Sequence, residues 1–136
     1  MRHYLHSSIA LRAILNVPER EQVRAWIDGQ PRGSLVSSRL LRIEVVRVLR
    51  REGRPPSDGA PILDRVGLVT LGDAISSLAE AIGPTIRTLD TLHMATAQHI
   101  GETLTIVTHD ATMREVAKAL GFATFDPCRE GAGTSA

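Results

Sequence analysis

Hydrophobic positions recur along this chain in two rhythms. Short aliphatic runs at 2–5, 35–36, 68–71, 104–107 and 122–125 predict strands. Between them, apolar residues return every three or four positions and predict helices over 9–15, 18–27, 39–51, 61–66, 74–82, 88–100 and 113–120. Ser7 or Ser8 can cap the first helix, Pro18 is placed to begin the second, and Ser37-Ser38 precede the third. Residues 53–59 read as a plain loop. Alternating short strands and helices argue for an α/β fold, a parallel sheet with helices on both faces.

Composition narrows this picture without changing it. The 136 residues are 43% hydrophobic but only 3% aromatic, so the core must be mainly Leu, Ile, Val and Ala. One domain over 1–127 is expected, with a small, polar and flexible tail over 128–136. A net charge of +1 argues against a general polyanion binder. The single cysteine, Cys128, is read as excluding both an internal disulfide and a thiolate-based zinc site. No apolar run approaches ~20 residues and no signal-peptide pattern is present, which makes a soluble cytoplasmic protein with no membrane partner the default expectation. Phosphate-binding glycine loops and nucleophile elbows are absent from the sequence.

Candidate chemistry centres on the helix over 88–100. Asp90 lies in its first turn and shares a face with His93, Met94 and Ala97. A carboxylate on such a face needs a metal, a hydrogen-bond network or the helix's own amides. Glu44 and Asp110 also sit beside apolar surfaces, and three acids suffice for a Mg²⁺ site completed by water. Each has a plainer role available. Asp110 can cap the next helix, Asp90 can complement a helix dipole, and Glu44 can pair with Arg47 or Arg51. His93 can orient Asp90, and Ser8 can support a metal-bound water. Arg39, Arg42, Arg47, Arg50, Arg51 and Arg54 fall within 16 positions and suit RNA backbone, or simply a solvated helix face.

The order of four blocks adds a resemblance. They are Tyr4-Leu-His-Ser-Ser-Ile-Ala10, Val36-Ser-Ser-Arg-Leu-Leu-Arg-Ile-Glu-Val-Val-Arg47, Leu89-Asp-Thr-Leu-His-Met-Ala-Thr-Ala97 and Val107-Thr-His-Asp110. Together they resemble PIN-domain proteins, in particular the VapC-type toxins of bacterial toxin–antitoxin pairs. The resemblance implies a three-layer fold with a central parallel sheet of four or five strands. It also implies a Mg²⁺- or Mn²⁺-dependent endoribonuclease, a cognate antitoxin and a homodimer. Glu44, Asp90 and Asp110 match the family's catalytic and metal-binding acids, with Ser8, Thr108 and His93 supporting them and Arg39, Arg42 and Arg50 facing RNA.

The first family acid falls on His6. A carboxylate offers a hard, charged oxygen there, whereas neutral imidazole offers one softer nitrogen, better suited to Mn²⁺, Zn²⁺ or Ni²⁺ than to Mg²⁺. As a metal ligand His6 therefore departs from the family pattern. Weaker Mg²⁺ binding and reduced cleavage are expected. The alternative is a catalytically impaired relative that binds RNA or antitoxin without cutting.

Overall fold

Five short strands, all parallel, form the central sheet in the order β3-β2-β1-β4-β5. The computed structural model describes residues 2–101 and 103–129. Along the chain the elements are β1 (Arg2–Leu5), α1 (Ser7–Ile14), α2 (Arg20–Asp28), β2 (Leu35–Ser38), α3 (Arg39–Arg51), a 3-10 turn (Pro56–Gly59), α4 (Ala60–Leu63), β3 (Gly67–Val69), α5 (Asp73–Ala81), α6 (Thr88–Ile100), β4 (Leu104–Val107), α7 (Ala111–Ala119) and β5 (Ala123–Phe125).

Alternation along the strands separates two cores. Leu5, Leu35 and Val107 point to the face covered by α1, α2, α3 and α4, where Ile9, Ile14, Val23, Leu41, Val45 and Leu49 are buried. Their neighbours Tyr4, Val36 and Ile106 point the other way, against Met94 and Ala97 of α6 and Met113 and Val116 of α7. This is the expected three-layer α/β architecture. Both faces are covered, so every residue of β2 and β4 is buried, while the edge strands β3 and β5 are half-buried or exposed.

Local departures have identifiable causes. The loop over 53–59 is not plain: Pro56–Gly59 makes a 3-10 turn. A Cβ on Gly59 would come within 3.0 Å of Val45 Cγ1, so glycine lets this turn rest directly on α3. β2 extends through both serines because Ser37 and Ser38 pair with Leu68 and Val69 of the edge strand. Ser38 does cap α3, accepting the Leu40 N–H at 3.1 Å. Neither Ser7 nor Ser8 caps α1, which begins at Ser7 with His6 as its uncapped N-terminal residue. Those hydroxyls have partners across the molecule instead.

Within the expected tail, residues 130–136 lie outside the described residues. Its first residues are held down: Gln22 donates to the carbonyls of Pro127 (2.7 Å) and Arg129 (3.3 Å). Among the described residues, no helix is long and apolar enough to cross a membrane.

Leu49 is fully buried where α3 meets the sheet and the 3-10 turn. Leu49→Ala is expected to lower unfolding free energy by about 2–5 kcal/mol, measurable as a shifted denaturant midpoint.

Candidate active site

Register brings the site together at the carboxyl ends of β1 and β4. Leu5 pairs with Val107, so His6 and Thr108 leave the sheet side by side. This is also where the strand order reverses, with β2 on one side of β1 and β4 on the other. Open parallel sheets place their ligand crevices at such points. The positive N-terminal ends of α1, α6 and α7 lie at this edge, and two acids sit on them, Asp90 in the first turn of α6 and Asp110 before α7.

His6 is buried and every polar atom of its ring is used. Its Nε2 lies 3.0 Å from Asp90 Oδ1, and its Nδ1 lies 2.9 Å from both Ser8 Oγ and Thr108 Oγ1. A carboxylate only accepts, so Nε2 donates to Asp90, while Nδ1 meets the two hydroxyls, each of which can donate or accept. The two hydroxyls are 3.2 Å apart. Each also accepts a backbone N–H, Ser8 from His109 (2.9 Å) and Thr108 from Asp110 (3.1 Å). Five groups thus lock the β1 and β4 exits to one another.

Asp90 has its second oxygen on Arg87, whose Nε and Nη2 lie at 3.0 and 2.8 Å. Burial alone would raise the Asp90 pKa, but the hydrogen bonds and charges of His6 and Arg87 outweigh it and hold the group at about 2. Arg87 also reaches Asp110, with Nη2 3.8 Å from Oδ2. Asp110 Oδ1 caps α7 by accepting the Met113 N–H at 3.0 Å. The cap expected from the sequence is present, and the other oxygen is still turned toward the cleft's cation.

Glu44 belongs to a separate chain of contacts. Its Oε1 accepts from His93 Nε2 at 2.6 Å and its Oε2 from Ser7 at 3.2 Å. The other ring nitrogen of His93, Nδ1, lies 2.7 Å from the Tyr4 hydroxyl, so the ring is held at both ends. Burial pushes the Tyr4 phenol up, so it keeps its proton. His93 therefore positions Glu44 rather than Asp90. The expected pairing of Glu44 with Arg47 or Arg51 does not form; the buried histidine is the closer partner.

These residues line one cleft of about 510 Å³, formed by His6, Ser8, Glu44, Arg47, Arg87 and Asp110 among others, with Asp90 directly beneath His6 and Arg87. Ile43 and Leu89, the two exposed large hydrophobics among the described residues, stand on its walls. A second hollow on α3 is lined by Arg39, Arg42, Arg47 and Arg50 with Ile43 and Val46. Arg47 is common to both, so the basic face runs into the acidic cleft. Arg54 is not part of it, being paired with Asp58 at 2.8 Å. Sequence reasoning missed Arg87, which lies three residues before Asp90, the one available signal being that helical spacing.

Among the described residues, Glu44, Asp90 and Asp110 do not bring three ligand atoms within 4.8 Å of one another. The reason is that each carboxylate is turned toward its own internal partner. A cation still fits, because one cation already spans two of them: Arg87 contacts both Asp90 and Asp110. Its side chain is 75% exposed, so it can swing into solvent, provided an incoming ion takes over the buried Asp90 oxygen it leaves. The vacated oxygens form a hard, two-carboxylate set of the kind Mg²⁺ uses with water.

The structure is thus a parallel three-layer α/β domain with acids at its switch point. Comparison with known proteins makes this specific: the PIN domain family model matches residues 4–119. Ribonuclease VapC47 of Mycobacterium tuberculosis (strain CDC 1551 / Oshkosh) is 33% identical over 130 residues, covering 91% of this chain and 96% of the relative. Ribonuclease VapC46 of M. tuberculosis (strain ATCC 25618 / H37Rv) is 35% identical over 127 residues, with the same coverages. The chain belongs to the PIN-domain family, among its VapC-type members. Two solved structures share the fold. One is M. tuberculosis VapC20, described as a sarcin-ricin loop cleaving toxin, with TM-score 0.69, 13% identity, and 88% of this chain and 95% of that one covered. The other is FitAB bound to an IR36 DNA fragment, with TM-score 0.66, 19% identity, and coverages of 93% and 95%. PIN ribonucleases are in general dependent on divalent metal.

The depressed Asp90 pKa sets an acid dependence. Its stabilisation is fully present above the ordinary value of 3.8 and is lost as pH falls toward about 2. In metal-free protein this amounts to about 2 kcal/mol. Asp90→Asn is expected to flatten stability against pH across that window in urea melts.

Proposed function

We propose that this chain is a divalent-metal-dependent endoribonuclease of the toxin–antitoxin type, with Mg²⁺ activity reduced by His6. The observation that carries the reading is Arg87 spanning Asp90 and Asp110 at the head of a cleft continuous with an arginine-lined face. Asp90 and Asp110 would hold Mg²⁺ or Mn²⁺ directly, and Glu44 through water. When bound, the ion supplies an activated water and stabilises charge on the phosphate.

The chain's own residues do the positioning. His6 fixes Asp90 through Oδ1, leaving Oδ2 for the cation now contributed by Arg87. His93, itself set by Tyr4, aims Glu44 into the cleft. Ser8 and Thr108 hold His6 and, through backbone N–H groups, the His109-Asp110 turn. Arg39, Arg42 and Arg50 are exposed on α3 and would bind RNA phosphates, their forked guanidinium groups matching phosphate oxygens. Ile43 and Leu89 give the mouth an apolar rim suited to a protein cover, which supports an antitoxin seated over the cleft. A homodimer is expected from the resemblance to the family.

A second reading, an RNA- or antitoxin-binding relative that does not cut, is favoured by His6 itself. Both its ring nitrogens are already engaged, so it adds no free ligand atom where the family carries a carboxylate.

His6→Asp separates the two. Without metal, a second carboxylate beside Asp90 repels it, so the variant is expected to melt below the parent. Added Mg²⁺ should raise its melting temperature more than the parent's and increase RNA cleavage. Parent cleavage in Mg²⁺ at or above the rate of His6→Asp would refute the role given to His6. If Mg²⁺ and Mn²⁺ neither shift melting nor support cleavage in either protein, the metal reading fails.

A further inference from the structure

Past the last strand lies a set of metal-capable side chains that the acidic cleft does not use. Val107 pairs with Phe125, and the Thr108 N–H donates to the Phe125 carbonyl at 3.0 Å. The segments leaving β4 and β5 therefore run side by side, His109 on one and Asp126 and Cys128 on the other. His109 Nδ1 lies 2.9 Å from Asp126 Oδ2, and Asp126 Oδ1 accepts the Cys128 N–H at 2.9 Å. One ligand atom from each of the three residues falls within 4.8 Å of the other two. Asp126 is buried, Cys128 is half-buried and His109 opens to solvent, so the cluster has a dry floor and one accessible side.

We propose that His109, Asp126 and Cys128 form a second cation site, separate from the acidic cleft, for a borderline-soft divalent ion of the Zn²⁺ class. Mixed sulfur, nitrogen and oxygen donors suit zinc and not Mg²⁺, and three protein ligands leave a fourth tetrahedral position for water. One cysteine in the sequence argues against a thiolate-based site. The fold supplies the two missing ligands from positions 19 and two residues earlier, and only one of those is near it in sequence.

Burial, reinforced by the Asp126 charge, pushes the Cys128 thiol up to about 12, so without an ion it remains S–H. Binding breaks that S–H bond, releases the proton to solvent and forms a sulfur–metal bond, with no change of oxidation state. The proton that His109 Nδ1 gives to its Asp126 contact moves to Nε2, which frees Nδ1 as a ligand. Thiolate and carboxylate together neutralise the ion. In its absence, His109 and Arg114, the latter 3.4 Å from Oδ2, hold the Asp126 charge. The ion takes over Oδ2, while Oδ1 stays fixed by the Cys128 N–H as an outer hydrogen bond orienting the ligand. Because the His109 N–H also donates to Ser8, an ion here would stiffen the turn that carries Thr108 and Asp110 into the cleft.

Co²⁺ titration of the chelator-stripped full chain tests the site. A sulfur-to-cobalt charge-transfer band is expected in the near ultraviolet, with the intense visible bands of a tetrahedral ion, both displaced by Zn²⁺. Cys128→Ser should lose the charge-transfer band, and Asp90→Asn should keep it. No such band in the parent protein, or its persistence in Cys128→Ser, would overturn the proposal. RNA cleavage is not the readout, so failure of the acidic cleft as a nuclease leaves this result unaffected.

Discussion

The His6 imidazole and its hydrogen bonds tie together four elements, β1, α1, α6 and β4. His6 ends β1, Asp90 begins α6, and the hydroxyls of Ser8 and Thr108 tie the same imidazole to α1 and the end of β4. A buried ion of either sign is costly unless paired and hydrogen-bonded. Here the cost is met by a network in which each ring nitrogen, each hydroxyl and each Asp90 oxygen has a partner. Removing one member leaves another buried and unsatisfied, so the network enforces a single arrangement at the crevice.

Charge balance follows from that network. Three acids around one cleft would repel if left alone. This chain separates them, Asp90 held by His6 and Arg87, Glu44 by His93 and Ser7, and Asp110 by the first amides of α7 with Arg87 nearby. Of these partners only Arg87 is mostly exposed, and it alone can swing into solvent, leaving the buried Asp90 oxygen for an incoming ion to pair. The divide between fixed buried partners and one mobile surface cation makes the cleft a place where an external cation can enter.

A protein with an acidic cleft must still attract a polyanion. The arginines of α3 resolve this by position. The hollow of Arg39, Arg42 and Arg50 shares Arg47 and Ile43 with the acidic cleft, and Arg51 lines the cleft itself. At physiological salt, charges more than about 8 Å apart are largely screened, so a phosphate backbone can be held on one surface while the acids act at the next. Net charge near zero conceals this arrangement entirely.

The sequence by itself determined the order of elements, the parallel three-layer fold, the family blocks and the acids Glu44, Asp90 and Asp110. Those are local properties: strand and helix periods are written in neighbouring residues, and each acid sits inside a recognisable block. Boundaries failed where packing intervened, as at Gly59, where close approach to Val45 turned a plain loop into a 3-10 turn. Tertiary structure alone decided the side-chain partners. Ser7 and Ser8 became contacts for Glu44 and His6 instead of caps, His93 went to Glu44, and Arg87 emerged as the cleft's own cation. His109 met Asp126 and Cys128 because β4 and β5 are neighbours in the sheet. In the first turn of α6, Asp90 is readable from sequence as an acid needing a partner. That the partners are His6, 84 residues away, and Arg87, three residues away, is fixed only by the fold, because polar satisfaction in a core depends on which backbones meet.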